Sequence, residues 1–367
     1  MSHPPIPDAA PRVLSEWRDR ILAASEAGRA LELRGGGTKA FYGEAPRGEP
    51  FDTREYRGIV SFEPTELVIT ARCGTPLAEL EAAVAQAGQM LPFEPPSFGA
   101  QATLGGAMAT GLSGPRRATA GAMRDFVLGA CLLDAKGQWL RFGGQVMKNV
   151  AGYDVSRVLC GSMGMLGLIT EVSLKVLPVP ALETTLMMAA DQKQALGWLN
   201  QWAGRPLPIS ASAWSDGKLI IRLSGAAAAV RAAIEDFRQR HGARPLEPGE
   251  ATAFWADVRE HRAPVLDTAG PLWRLSVPSV APVLALGGDP FIEWGGALRW
   301  YASQAPAASV REAAAAVGGT ACLFRGGDKS VGVFHPLSDA VARLHARLKR
   351  EFDPGRIFNP GRLYGEL

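Results

Sequence analysis

Apolar residues recur at three- and four-residue spacing between Val13 and Ala27, with Leu14, Trp17, Ile21 and Leu22 on one face and Gly28 as the stop. That spacing predicts an amphipathic helix. Ala30-Leu31-Glu32-Leu33-Arg34 then alternates with a period of two and predicts a strand, and Leu67-Val68-Ile69-Thr70-Ala71 predicts another. After it, Thr75 as N-cap and Pro76 at the first helical position predict a helix to Ala87, closed by Gly88. The clearest alternation runs from Ile169 to Val176 and predicts a strand. Near the end, Ser338 is placed to cap a last helix with Val341, Leu344, Leu348 and Phe352 on its buried side. The mixture is α/β in the coarse sense, helices and strands interleaved.

Length turns this pattern into more than one domain: 367 residues, 47% of them hydrophobic, exceed what one core usually holds. Pro178 and Pro180 in Leu177-Pro178-Val179-Pro180 mark a boundary, since proline ends a strand and stiffens a linker. Seven of the nine tryptophans lie beyond it, from Trp198 to Trp300, as core or as a partner interface. Charge changes little. The net charge is +3, basic residues are scattered, and a nucleic-acid partner is not expected. No run of 18 apolar residues occurs, so no membrane-spanning helix is expected. Met1 to Arg12 is rich in Pro and Ala without an apolar stretch, so no secretory signal is expected and the chain reads as cytoplasmic. Cys73, Cys131, Cys160 and Cys322 fit no zinc or iron–sulfur spacing and read as buried thiols. No metal site is expected, and any iron–sulfur chemistry belongs to another chain.

Glycine carries the candidate chemistry. Arg34-Gly35-Gly36-Gly37-Thr38-Lys39 follows a predicted strand, and three glycines in a row let successive N–H groups turn into one concavity suited to phosphate. A plain flexible turn is the alternative. No P-loop or G-x-G-x-x-G is present, and Gly161 to Gly167 is spaced G-x-x-G-x-x-G instead. A longer loop, Pro96 to Gly114, has five glycines, two serines and two threonines without a charge. It suits either close approach to a large flat ligand or close helix packing.

The triple glycine, Thr103-Leu104-Gly105-Gly106, Lys148-Asn149-Val150-Ala151-Gly152-Tyr153-Asp154, Gly161 to Glu171, Phe352-Asp353-Pro354-Gly355 and Asn359-Pro360-Gly361-Arg362 occur in that order. Together they resemble the FAD-linked oxidases of the vanillyl-alcohol oxidase / p-cresol methylhydroxylase family, and within it the FAD-binding subunits of multi-subunit 2-hydroxy-acid oxidases. The resemblance is strong over residues 30–180 and 340–364 and weak between, resting there on Glu293 to Trp300. It implies an α+β fold: a two-lobed FAD-binding domain over 1–181, a smaller antiparallel α+β cap over 182–330 covering the flavin ring, and a helix and tail over 331–367 that return to the FAD domain. The FAD contacts it implies are Arg34, Gly35, Gly36, Gly37, Thr38 and Lys39 in the first loop. In the second they are Pro96, Gly99, Thr103, Leu104, Gly105, Gly106, Thr110, Gly111, Ser113 and Gly114. Gly121, Arg124 and Asp125, then Gly164, Gly167, Ile169 and Asn359, complete the set.

The chain also departs from the family. Many relatives attach FAD through a histidine beside the first loop; here Thr38 follows the glycines, and the histidines are His3, His241, His261, His335 and His345, so noncovalent FAD is expected. Relatives acting on 2-hydroxy acids carry H-x-G-D-G-N-x-H, where this chain has Phe324-Arg325-Gly326-Gly327-Asp328. A hydroxy acid needs a base for its hydroxyl proton and a cation for its carboxylate. His335 is the candidate base, or a structural histidine before a proline; Arg325 and Arg299 are the candidate cations, or ordinary paired arginines. The implied activity is oxidation of a small 2-hydroxy acid, glycolate foremost. Electrons would leave through a second, catalytic FAD-binding subunit and an iron–sulfur subunit. The alternatives are an electron-relay or structural subunit that keeps FAD without substrate chemistry, and an empty scaffold.

Overall fold

The computed structural model describes residues 12–144 and 154–367. Lys148 to Tyr153, part of one motif above, lie outside the described residues. The predicted first helix forms as Arg12–Glu26 and buries Leu14, Trp17, Ile21 and Ala24. It packs on a small parallel pair, Leu31–Arg34 with Glu49–Asp52, to which Phe358 of the C-terminal tail adds a parallel bridge at Leu31. Trp17 meets Phe51 and Tyr56 edge-on at 5.7 and 5.8 Å.

The second lobe is a five-stranded antiparallel sheet in the order Ile59–Glu63, Val68–Arg72, Leu168–Lys175, Val127–Leu133, Trp139–Gly143. The clearest predicted strand is therefore the centre of this sheet, and it buries on both faces. Behind Val68–Arg72 the helix spans Leu77–Gln86, and Pro76 rather than Thr75 stands at its cap. Thr75 is diverted because its hydroxyl accepts from Gly58 N–H at 2.9 Å and donates to Gly58 O at 3.2 Å.

Beyond Leu177–Pro178, which pairs with Gln89–Met90, the chain builds one eight-stranded antiparallel sheet. Period-two alternation divides it into two faces. Trp273, Leu275, Tyr301 and Leu323 pack under the helix Ala307–Ala315, and Trp214, Leu219 and Ile221 under Gln192–Ala203 and Ala227–His241. The intervening residues Leu272, Trp300, Cys322, Phe324 and Ala213 face the FAD-type lobes and share a core with Tyr42, Leu112, Met163 and Met165. Six of the seven late tryptophans are buried, so most of that set is core.

The last helix, Asp339–Phe352, differs from its predicted face. Leu348 and Phe352 pack on the core of the five-stranded sheet, but Val341 is 40% and Leu344 56% exposed. What is buried instead is Lys349, 3% exposed, whose Nζ donates to Met165 O, Phe358 O and Asp353 Oδ2 at 2.7 Å each. Asp353, fully buried, also accepts from Ile357 and Phe358 N–H. One buried ion pair thus fastens the helix, the tail and the glycine turn near Met165.

Candidate functional site

The tail arrives at the strand Leu31–Arg34 through Asn359. Its Oδ1 accepts from Leu33 N–H at 2.7 Å and its Nδ2 donates to Met163 O at 2.6 Å. Asn359 therefore spends its side chain aligning the first loop with the Gly161–Gly167 turn. A Cβ on Gly164 would lie 2.7 Å from that Nδ2, so the alignment needs glycine there.

The first loop leaves this strand as a concavity. Gly37 turns it at φ +71°. Among the described residues no protein acceptor is aligned with the N–H groups of Gly36, Gly37, Thr38 or Lys39. The second loop presses on the back of it: a Cβ on Gly35 would meet Thr103 Oγ1 at 2.4 Å, and one on Gly36 the carbonyl oxygen of Gln101 at 1.6 Å. Thr103 caps the helix Leu104–Thr110, accepting from Gly106 N–H at 3.2 Å.

Two adjoining clefts, of about 100 and 60 Å³, run along this seam. Arg34 to Lys39, Thr103, Gly106, Thr110 and Asn359 line the first; Gly105, Gly164, Gly167 and Ile169 join Arg34, Gly35, Gly106 and Asn359 in the second. Lys39 is buried in the wall, its Nζ donates to Ser97 O at 3.2 Å, and burial pulls its pKa down to about 8 against the pull of Glu260. Arg362 lines the same cleft. One terminal nitrogen is held by Ala40 O and Tyr42 O, while the other is shut off from solvent with no partner among the described residues. A buried guanidinium with a free donor beside four free backbone N–H groups fits an anion of diphosphate size. The sequence reading stopped at Asn359 and passed over Arg362, although its spacing to Asn359 was in view.

The remaining expected contacts are placed differently. Pro96, Ser113 and Gly114 line a separate cavity toward the cap. Gly99 backs onto Thr38, where a Cβ would sit 3.2 Å from Thr38 Cγ2. Leu104 is buried in the core, and Gly111 packs against Gly161. Arg124 and Asp125 are exposed, and Asp125 Oδ2 accepts from Ala122 N–H at 2.8 Å, fixing the Gly121 turn.

The cap is locked to these loops. Glu260 accepts from Ser97 N–H and from Phe98 N–H, the latter at 2.7 Å, and Trp294 Nε1 donates to Gly114 O at 3.1 Å. Glu94 binds Arg116 of its own lobe and Arg222 of the cap sheet at 3.2 and 2.9 Å. Of the candidate substrate residues, Arg299 is fully buried and donates from each of its three nitrogens to the carbonyls of Gly296, Pro282 and Ala281. Arg325 donates to Leu266 O. His335 accepts weakly from Ala321 N–H at 3.4 Å, and its own carbonyl takes the Tyr364 hydroxyl, away from the seam clefts. These three do not converge on one cavity.

The chain matches the FAD binding domain family over residues 8–143. It is 48% identical to glycolate oxidase subunit GlcE of Escherichia coli over 92% of this chain and 93% of that one. It belongs to the FAD-linked oxidase family, in the branch of GlcE. It is 32% identical to glycolate oxidase subunit GlcD of Bacillus subtilis over half of this chain and 39% of that one. Solved alkyldihydroxyacetonephosphate synthase has the same fold: the TM-score is 0.65 at 18% identity, over 94% of this chain and 75% of that one. FAD is thus this family member's cofactor, and the two-lobed domain with its antiparallel cap is the p-cresol methylhydroxylase type. Among the described residues no helix is long and apolar enough to cross a membrane.

Proposed function

We propose that the chain is the FAD-binding subunit of a multi-subunit oxidase for small 2-hydroxy acids, with glycolate as substrate. The observation that carries this is the near-full-length likeness to a glycolate oxidase subunit in a chain whose diphosphate cradle is intact. In this reading the N–H groups of Gly36 to Lys39 and the free Arg362 donor hold the diphosphate, and Thr103 and Gly106 bound it. Ile169 and Gly167 flank the next part of the cofactor through their backbone. The cap sheet covers the ring end near Ser113 and Gly114 and keeps it dry. FAD, when bound, supplies the acceptor for the hydride of the hydroxy acid. Thr38 beside the cradle offers no covalent link, so the cofactor is held by these contacts alone. The division into 1–181, 182–330 and 331–367 follows the same reading: cradle, cover and fastening tail.

Electrons leave to partner subunits, a second FAD-binding chain and an iron–sulfur chain, since the cysteines here are three buried thiols and Cys160, scattered over separate elements. The assembled complex is expected to turn over glycolate with an acceptor that draws its electrons from the iron–sulfur subunit, and the isolated chain to undergo one flavin reduction with little turnover of that acceptor. Full turnover by the isolated chain would remove the need for partners. No turnover by an assembly with full FAD occupancy would remove glycolate.

A further inference from the structure

The last helix, Asp339–Phe352, leaves part of its apolar side uncovered. Val341, Leu344 and Leu348 recur at three- and four-residue spacing, which puts them on one stripe. Leu348 is half-buried against the five-stranded sheet, while Val341 and Leu344 stand in solvent. Lys349 takes the inward place, and its bonds to Met165, Phe358 and Asp353 hold the helix in that rotation. The stripe cannot roll inward without stranding a buried charge, so it is fixed facing out.

The stripe runs into a recess of about 140 Å³. His345 and Leu348 form one wall, and Leu166 and Leu363 line it further in. Val158, 45% exposed on the short helix Val155–Leu159, forms the opposite rim. A cavity of roughly 150 Å³ lined by apolar side chains admits a benzene ring, so this recess has room for one large apolar side chain. It shares a turn with the cofactor seam. Gly161, Ser162 and Met165 face the recess, while Gly164 and Gly167 face the seam.

Charge frames the stripe. Arg343, Arg347 and Arg350 are exposed on the outward side of the same helix, and among the described residues none has a carboxylate within ion-pair distance. The acids of the helix, Asp339 and Glu351, stand near its two ends. Across the recess Arg157 is already paired with Asp154 at 3.0 Å. A guanidinium without an acid offers a fork to a carboxylate from elsewhere. A lone exposed arginine is ordinary. Three of them beside uncovered apolar residues that lead to a ring-sized recess have the anatomy of a protein interface, an apolar anchor site with a charged rim. A lipid surface fits less well. It takes up apolar side chains that project along a whole helix face, whereas here Leu348 and Phe352 are spent on the core and the stripe ends in a hollow.

We propose that this face docks an acidic amphipathic helix of a partner subunit, with one leucine or phenylalanine of that helix seated in the recess and its carboxylates paired with Arg343 and Arg347. The assignment rests on the reading of the chain as one subunit of a multi-subunit oxidase and names the surface by which it joins. The seated side chain supplies most of the affinity, and the arginine rim sets register and the rate of encounter.

The test assembles the FAD-loaded full chain with the second FAD-binding subunit and the iron–sulfur subunit and measures its dissociation constant from them at low and high salt. Leu344→Glu is expected to weaken assembly at least about tenfold by placing a charge in the apolar contact. Arg343→Glu combined with Arg347→Glu should weaken it as much, most at low salt, where charges are least screened. The corresponding lysine variants should recover part of the loss. Val280→Glu, at a valine 76% exposed on the cap, is the control and should assemble as wild type does. FAD content and thermal midpoint should stay at wild-type values throughout. The proposal is overturned if Leu344→Glu and the double arginine variant both assemble with wild-type affinity, or if Val280→Glu weakens assembly equally. A dimer of this chain that Leu344→Glu abolishes while assembly persists would make the occupant a second copy. Flotation with phosphatidylserine vesicles that the double variant abolishes while assembly persists would make it a membrane, and either result overturns the partner helix. Wild-type assembly and glycolate turnover in Leu344→Glu would sink the face and leave the function standing. A complex that Leu344→Glu takes apart, yet that ignores glycolate as wild type, would sink the function and leave the face.

Discussion

Gly36→Ala isolates the cradle from the rest of the fold. The added Cβ would lie 1.6 Å from Gln101 O and 2.4 Å from Gln101 C, both backbone atoms that no rotamer change can move. Ordinary contact needs roughly 3.4 Å or more, so one loop must retreat by nearly 2 Å. Either retreat spoils the aim of the N–H groups at Gly36 to Lys39. Losing two hydrogen bonds to a charged diphosphate, at about 1.5–3 kcal/mol each, costs about 3–6 kcal/mol of binding, or at least about a hundredfold in affinity. Gly197→Ala is the control away from the seam, because it lies exposed in the helix Gln192–Ala203 where an added Cβ would meet nothing within 4 Å. Titration of flavin fluorescence into each apo-chain gives the affinities, and circular dichroism confirms that each remains folded. Gly36→Ala binding FAD within about threefold of wild type, a difference below 1 kcal/mol, would refute the cradle.

Three further outcomes follow from the same geometry. Lys349→Met leaves Asp353 buried without its cation and should cost about 3–5 kcal/mol, read as a lower thermal or urea midpoint; an unchanged midpoint would show that the pair does not fasten the tail. Glu293 has a folded pKa of about 7, raised by burial against the Trp300 bond and Arg274, so its contribution is full below its unfolded value of 4.5 and fades as pH rises through 7. Wild type should therefore lose about 3 kcal/mol relative to Glu293→Gln between pH ~5 and ~8, and parallel stability profiles would contradict the assignment. Flavin should leave the chain entirely on acid precipitation, whereas flavin in the pellet would reveal a covalent bond.

Legibility in the sequence followed the range of the interactions. The helix at Arg12–Glu26 and the strand Leu168–Lys175 were readable because burial there follows a local period. The last helix was readable as a helix but not by face. Its apolar stripe runs through Val341 and Leu344 into solvent, while a lysine takes the buried place because Asp353 and two carbonyls satisfy it. Thr75 lost its capping role to Gly58, a partner across a strand pair that no local rule shows. At the seam, glycine spacing disclosed the loops but not Arg362, whose significance lies in one donor left over after Ala40 and Tyr42 are served.

The most direct measurement is anaerobic mixing of the isolated, FAD-loaded chain with glycolate while the flavin absorbance is recorded. The account predicts bleaching by about one equivalent of glycolate, since the first half-reaction needs no partner. A flavin that stays oxidised, in a chain whose assembled complex turns glycolate over, would place the substrate chemistry in another subunit and contradict it.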